Sequence, residues 1–139
     1  MIQITHIAIS PEDTFSKVLE TFNQSGTRTI IVTDENSILL GIITDGNIRT
    51  ALLNSIDLST PASLIMNPNP IIANESDTIE YIERLIKENR ILSIPIVDGN
   101  GKFIELKTFE HSIKKNKLEN PVVIMAGGFG KRLFPLTKN

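Results

Sequence analysis

The chain has 139 residues, 40% hydrophobic and 22% charged, with a net charge of −2 and no cysteine. That composition is ordinary for a globular protein and excludes a disulfide framework or thiol chemistry. Residues 121–139 carry Lys131, Arg132 and Lys138 and no acid, so residues 1–120 hold a balance of −5, an acidic body unsuited to nucleic acid.

No apolar run approaches membrane-spanning length and no signal peptide opens the chain, so the expected location is cytoplasmic with no membrane partner. His6 and His111 stand alone without metal-ligand spacing, so no metal site is expected.

Displacing the sequence on itself by 64 residues aligns Ile7 with Ile71, Asp13-Thr14 with Asp77-Thr78, and Val18 with Ile82. It also aligns Ile30 with Ile94, Val32 with Ile96, Asp34 with Asp98, Asn36 with Asn100 and Thr44 with Thr108. A repeat of this period means two structural units of the same kind. Each copy opens on a short apolar strand, residues 4–9 or 70–73. A helix follows, with Asp13 or Asp77 placed to cap free N–H groups. Its apolar stripe is Phe15, Val18, Leu19 and Phe22, or Ile79, Ile82, Leu85 and Ile86, near the spacing of one buried helical face.

A hairpin comes next. In the first copy β-branched runs at 29–33 and 38–43 flank Asp34-Glu35-Asn36-Ser37. In the second, runs at 91–97 and 102–107 flank the strong turn signal Asp98-Gly99-Asn100-Gly101. A second helix closes each copy, over residues 45–53 and 109–117. The order strand–helix–strand–strand–helix predicts an α+β fold with helices on one face of a small sheet. A unit of this size buries too little surface to stand comfortably alone, so the two sheets are expected to pack face to face. Ser59-Thr60-Pro61-Ala62-Ser63 reads as the linker between them.

This pattern resembles the CBS domain, here as the tandem pair called a Bateman module. The residues that carry the resemblance are Gly41-Ile42-Ile43-Thr44-Asp45-Gly46-Asn47-Ile48-Arg49 in the first copy. In the second they are Ile65-Met66-Asn67-Pro68, Ser93-Ile94-Pro95-Ile96-Val97-Asp98 and Gly101-Lys102-Phe103-Ile104. The resemblance implies domains at 1–58 and 59–118, related by a pseudo-twofold. It also implies a regulatory ligand of the adenosine type, AMP, ADP, ATP or S-adenosylmethionine, held in clefts between the copies, and association into a homodimer.

The family's ligand motif is Gly-x-Ile/Val-Thr-x-x-Asp, whose threonine and aspartate contact phosphate or ribose. Thr44 matches, and Asn47 stands at the aspartate position without its charge. A helix's first turn also offers free N–H groups to an anion. Arg28 and Arg49 are the nearest candidates for phosphate. In the second copy Gly41 is replaced by Glu105, Ile43 by Lys107 and Asn47 by His111, and Thr108 alone is kept; the site reads as degenerate, with Lys107 and His111 as its candidates for a phosphate. Ser93 and Pro95 line a cleft in the family pattern, where the first copy has Thr29 and Ile31. Each of these residues also has a plain structural reading. Thr44 and Thr108 are good helix N-caps without any ligand, and Arg28 and Arg49 are ordinary surface charges.

Residues 122–137 read as a buried strand entering a glycine loop, whose backbone N–H groups suit anionic oxygens. Gly127, Gly128, Gly130, Arg132, Leu133, Pro135, Leu136 and Thr137 resemble the opening signature of the sugar-1-phosphate nucleotidyltransferases, Gly-Gly-x-Gly-x-Arg-Leu-x-Pro-Leu-Thr. The resemblance gives Gly127, Gly128 and Gly130 to the nucleotide and Arg132 to its triphosphate, assisted by Lys131. It implies that residues 119–139 lead into a longer enzyme of guanylyltransferase type, using Mg²⁺ to form a nucleotide sugar. Within these 139 residues such a strand has no sheet to join, so a frayed tail is expected. Catalysis by this chain alone is rejected, because no further domain supplies metal-binding carboxylates or a sugar pocket. Two readings stay open: a nucleotide sensor for the attached transferase, or an assembly module with empty, degenerate sites that only dimerises it.

Overall fold

A computed structural model describes residues 6–108. The second helix of the second copy, with His111, and the glycine loop, with Gly127, Gly128, Gly130, Lys131 and Arg132, lie outside the described residues. The first copy comprises β1 (Ala8–Ile9), α1 (Phe15–Ser25), β2 (Thr29–Thr33), β3 (Leu39–Thr44) and α2 (Asp45–Leu53). The second supplies β4 (Ala73–Asn74), α3 (Ile79–Asn89), β5 (Ser93–Val97) and β6 (Phe103–Thr108). Each copy folds into a three-stranded sheet, β1-β2-β3 or β4-β5-β6, with the first pair parallel and the hairpin antiparallel.

The 64-residue period holds down to single hydrogen bonds. Thr14 and Thr78 cap α1 and α3, their hydroxyls accepting from the N–H groups of Lys17 at 3.3 Å and Tyr81 at 3.2 Å. Asp13 and Asp77, expected as the caps, sit one position earlier. Their carboxylates instead accept from Ser10 N–H at 2.9 Å and Asn74 N–H at 2.8 Å, closing the turn before each helix. Both hairpins carry an irregularity at the same place, between Val32 and Thr33 and between Ile96 and Val97. Both turns close on an aspartate: Asp34 accepts from Asn36 and Ile38, Asp98 from Asn100 and Lys102.

Two expectations need adjustment. Ile79 begins the α3 stripe on paper but is 45% exposed, and burial begins at Ile82. The strand expected at 70–73 pairs only from Ala73, since Pro70 has no N–H to give and Ile71 and Ile72 stay exposed.

The middle strand of each sheet is apolar on both faces. Ile30 and Val32 of β2 join Phe15, Val18, Ile43, Ile48 and Ala51 under the helices, while Ile31 points the other way. Ile94 and Ile96 of β5 pack likewise on Ile82 and Ile86 of α3. Between the sheets lies a third cluster drawn from both copies, Ile7, Ile31, Phe103 and Leu106, flanked by Ala8, Leu39 and Ile42. The sheets therefore pack face to face, as a burial-driven pairing of two small units requires.

The connection between copies is built into the first one. A short 3₁₀ turn, Ala62–Leu64, places Ala62 and Ile65 in the first core. Backbone bonds from Phe15 N–H to Thr60, Ala62 N–H to Asp13 and Ser63 N–H to Pro11 hold it there. Asn67 then pairs with Ile42 on the outer edge of β3, donating at 2.8 Å and accepting at 3.1 Å.

Candidate functional site

The strand register gathers four hydroxyl residues at one end of the paired sheets. Thr29 lies opposite Thr44 across β2 and β3, and Ser93 lies opposite Thr108 across β5 and β6. The hydroxyls of Thr29 and Ser93 meet at 2.7 Å and join the rows across the interface. Residues 29 and 93 are exact repeat counterparts, so this bond sits on the pseudo-twofold. Thr29 is only 3% exposed, so its hydroxyl is committed to the interface.

Thr44 ends β3 and caps α2 in the same stroke. Its Oγ1 accepts from Asn47 N–H at 3.4 Å, while Asn47 Oδ1 accepts from both the N–H and the hydroxyl of Thr44 at 2.9 Å. This is a reciprocal capping box. Because the Asn47 oxygen is taken twice, what the amide retains for a ligand is its N–H₂ donors. An aspartate here would offer an acceptor to ribose; Asn47 offers donors, which suit a phosphate or another oxygen acceptor.

The charges nearby are arranged modestly. Asp45 in the first turn of α2 takes Arg49 as an exposed partner at 4.0 Å. An anion approaching α2 therefore meets helix N–H groups, a carboxylate and a guanidinium that partly cancel. Arg28 is exposed at the entry to β2, and among the described residues it makes no ion pair. Pro95, the counterpart of Ile31, is fully buried. Thr108 and Lys107 are half-buried at the end of β6, and Glu105 is exposed on it.

Sequence reasoning missed what stands against Gly41. A Cβ at this position would lie 2.6 Å from the Asn67 carbonyl oxygen and 2.8 Å from the Met66 sulfur. The glycine of the motif is required here by the backbone crossing it. Its counterpart Glu105 excludes so close a crossing on β6. The sequence signal was the pairing of Gly41 with the run Met66-Asn67-Pro68, which a motif read within a single copy does not connect.

Two carboxyls titrate below the ordinary aspartate range: Asp57, held down by the Ser59 hydroxyl and N–H, and Asp98, held down by the N–H groups of Lys102 and Asn100. Both serve turns. Among the described residues no group of three His, Asp or Glu side chains is placed to hold a metal ion. Nor is any of their helices long and apolar enough to cross a membrane.

Known proteins bear on this arrangement. An arabinose 5-phosphate isomerase of Salmonella typhi is 32% identical over 80 residues, 58% of this chain and 25% of the isomerase. The chain spans about a quarter of the length of the curated relatives it matches. CBSX2 of Arabidopsis thaliana in complex with AMP superposes with a TM-score of 0.70 at 22% identity, covering 78% of this chain and 84% of CBSX2. A CBS domain protein of Pyrobaculum aerophilum complexed with AMP gives 0.68 at 17% identity, covering 75% and 80%. The model of the CBS domain matches residues 3–54 and again 62–105. With two matched copies over most of its length and the fold of a CBS pair, the chain belongs to the CBS domain family.

Proposed function

We propose that this CBS pair is a regulatory module that binds one adenosine nucleotide and biases a sugar-1-phosphate nucleotidyltransferase domain attached behind it. The carrying observation is the convergence of Thr44, at the head of α2, with the free amide donors of Asn47 where the two copies meet. Two solved proteins of this fold are AMP complexes, which supports AMP, ADP or ATP as the class to try first. The transferase rests on the run from Gly127 to Thr137, with Gly127, Gly128 and Gly130 for the nucleotide and Arg132 and Lys131 for its phosphates. Arg28, Arg49, Ser93, Thr108 and His111 remain candidates around the regulatory cleft, as does homodimerisation through the pair.

The test is thermal stability and calorimetry with AMP, ADP, ATP and GTP. A ligand of the native state at about 100 times its Kd adds roughly 2.7 kcal/mol, a shift of several degrees. Thr44→Asp sharpens the result. Aspartate caps a helix as well as threonine does, so the fold persists while its charge repels phosphate and binding is lost. A melting point indifferent to every nucleotide would overturn the sensor.

A second reading, assembly alone, is favoured by one observation: Thr44 and Asn47 already satisfy each other. It predicts no nucleotide response, but a dimer by light scattering. Turnover by the intact enzyme with each NTP and several sugar phosphates, with and without AMP, tests the attached activity.

A further inference from the structure

The two hairpin tips share one backbone design and differ in one side chain. Asn36 N–H donates to the Asp34 carboxylate at 2.9 Å, and Ser37 N–H to the Asp34 carbonyl at 3.0 Å. In the second copy Asn100 N–H donates to the Asp98 carboxylate at 2.8 Å, and Gly101 N–H to the Asp98 carbonyl at 3.1 Å. Ser37 and Gly101 both hold left-handed backbone, φ 64° and 82°. Both asparagines are exposed, and among the described residues neither side-chain amide takes a hydrogen bond. The residue after the asparagine is what differs: serine in one tip, glycine in the other.

Asparagine is thermolabile because the backbone nitrogen of the next residue can close onto its side-chain carbonyl. A β-carbon on that next residue crowds the approach, and glycine has none. Asn100-Gly101 is the one place in the sequence where asparagine precedes glycine. The Gly101 bond to Asp98 has to open first. It lies at a tip whose Gly99 and Asn100 are exposed, where local opening costs little.

We infer that Asn100-Gly101 is a site of self-modification by water, and that its product loosens the backbone link between the two copies. The Gly101 nitrogen gives its proton to a base in solution and bonds to Asn100 Cγ. The Cγ–Nδ2 bond breaks, and Nδ2 leaves as ammonia after taking a proton from water. A second water opens the cyclic imide. Attack at Cγ yields aspartate; attack at the main-chain carbonyl carbon yields isoaspartate, in which the chain runs through the side-chain carbons. Nothing is oxidised or reduced, and water is the co-reactant.

The tip is also where backbone ties copy to copy. Leu39 N–H donates to the Gly101 carbonyl at 3.0 Å, and Phe103 N–H donates to the Ser37 carbonyl at 2.9 Å. A main-chain carbon added just before Gly101 displaces its carbonyl from Leu39. None of this depends on nucleotide binding.

The first copy is the internal control. The full chain is incubated in mildly alkaline buffer made with heavy-oxygen water, and its two hairpins are compared by mass spectrometry. Isoaspartyl-specific methylation identifies the isomer. Asn100 is expected to exchange its amide for a labelled acid roughly tenfold or more faster than Asn36. Gly101→Ser should slow Asn100 to the rate of Asn36, and Ser37→Gly should bring Asn36 up to that of Asn100. Serine fits at 101, since a β-carbon there meets nothing nearer than an Ile38 methyl at 4.0 Å and Ser37 already holds this conformation. Equal or absent conversion at the two asparagines, or rates that ignore the exchange of residues, overturns the site.

The isoaspartyl chain is then separated by ion exchange. Its amide exchange at Leu39 and Phe103 is expected to run roughly five- to thirtyfold faster than in the unmodified chain, as loss of one or two backbone bonds implies. Unchanged exchange overturns the loosening. Asn100→Asp supplies the charge without the longer backbone and should leave both amides as protected as in the wild type. Equal loosening by that variant would overturn the lengthened backbone as the cause.

Discussion

Gly41 and Asn47 show how one motif residue can serve packing and another chemistry. Asn67 is pinned against Ile42 by two backbone bonds, so its carbonyl cannot retreat from a side chain grown at position 41. Gly41→Ala is therefore expected to destabilise the protein by about 1–3 kcal/mol, as overpacking does. The melting temperature should fall by about 4–8 °C per kcal/mol. Scanning calorimetry checks it, and an unchanged melting point would mean the crossing segment moves away freely. Asn47 was legible as a departure from aspartate. That its oxygen is spent on Thr44 was not, because a capping box depends on the rotamers of both partners.

At the scale of elements, the turns repeat as faithfully as the helices. Gly26 and Arg90 end α1 and α3 in the same left-handed conformation, although only one of them is the residue that adopts it without strain. Asp34 and Asp98 tie the hairpin turns through N–H groups two and four residues on. The Asp98 carboxylate is preferred in its charged form by the bonds from Lys102 and Asn100. Its folded value is thus depressed below the unfolded one. The stability it adds is complete above the ordinary aspartate value of about 3.9 and is lost as pH falls through the lower folded value. Asp98→Asn keeps an acceptor but does not titrate. Below about pH 4 its melting temperature should fall less steeply than that of the wild type. Parallel pH profiles would show that the carboxylate contributes nothing there.

Over the whole molecule, stability is shared because neither sheet can cover its inner face alone. Phe103, from the second copy, is 4% exposed and packs in the cluster with Ile7 and Ile31 of the first. Phe103→Ala should cost about 3–5 kcal/mol and lower the melting of both copies together as one transition. Two separated transitions, with the first copy unaffected, would show the copies to be energetically independent.

Among the described residues the order of elements, the two-copy plan, the α+β class and, Ile79 apart, the residues of each helical face were legible in the sequence, because the 64-residue period and the spacing of apolar residues are local properties of a chain. Only the tertiary structure decided which neighbour each polar group takes. It moved the caps from Asp13 and Asp77 to Thr14 and Thr78, laid Asn67 across Gly41, and joined Thr29 to Ser93. Those choices depend on where segments far apart in sequence come to rest when the sheets bury their apolar faces, and no periodicity encodes such distances.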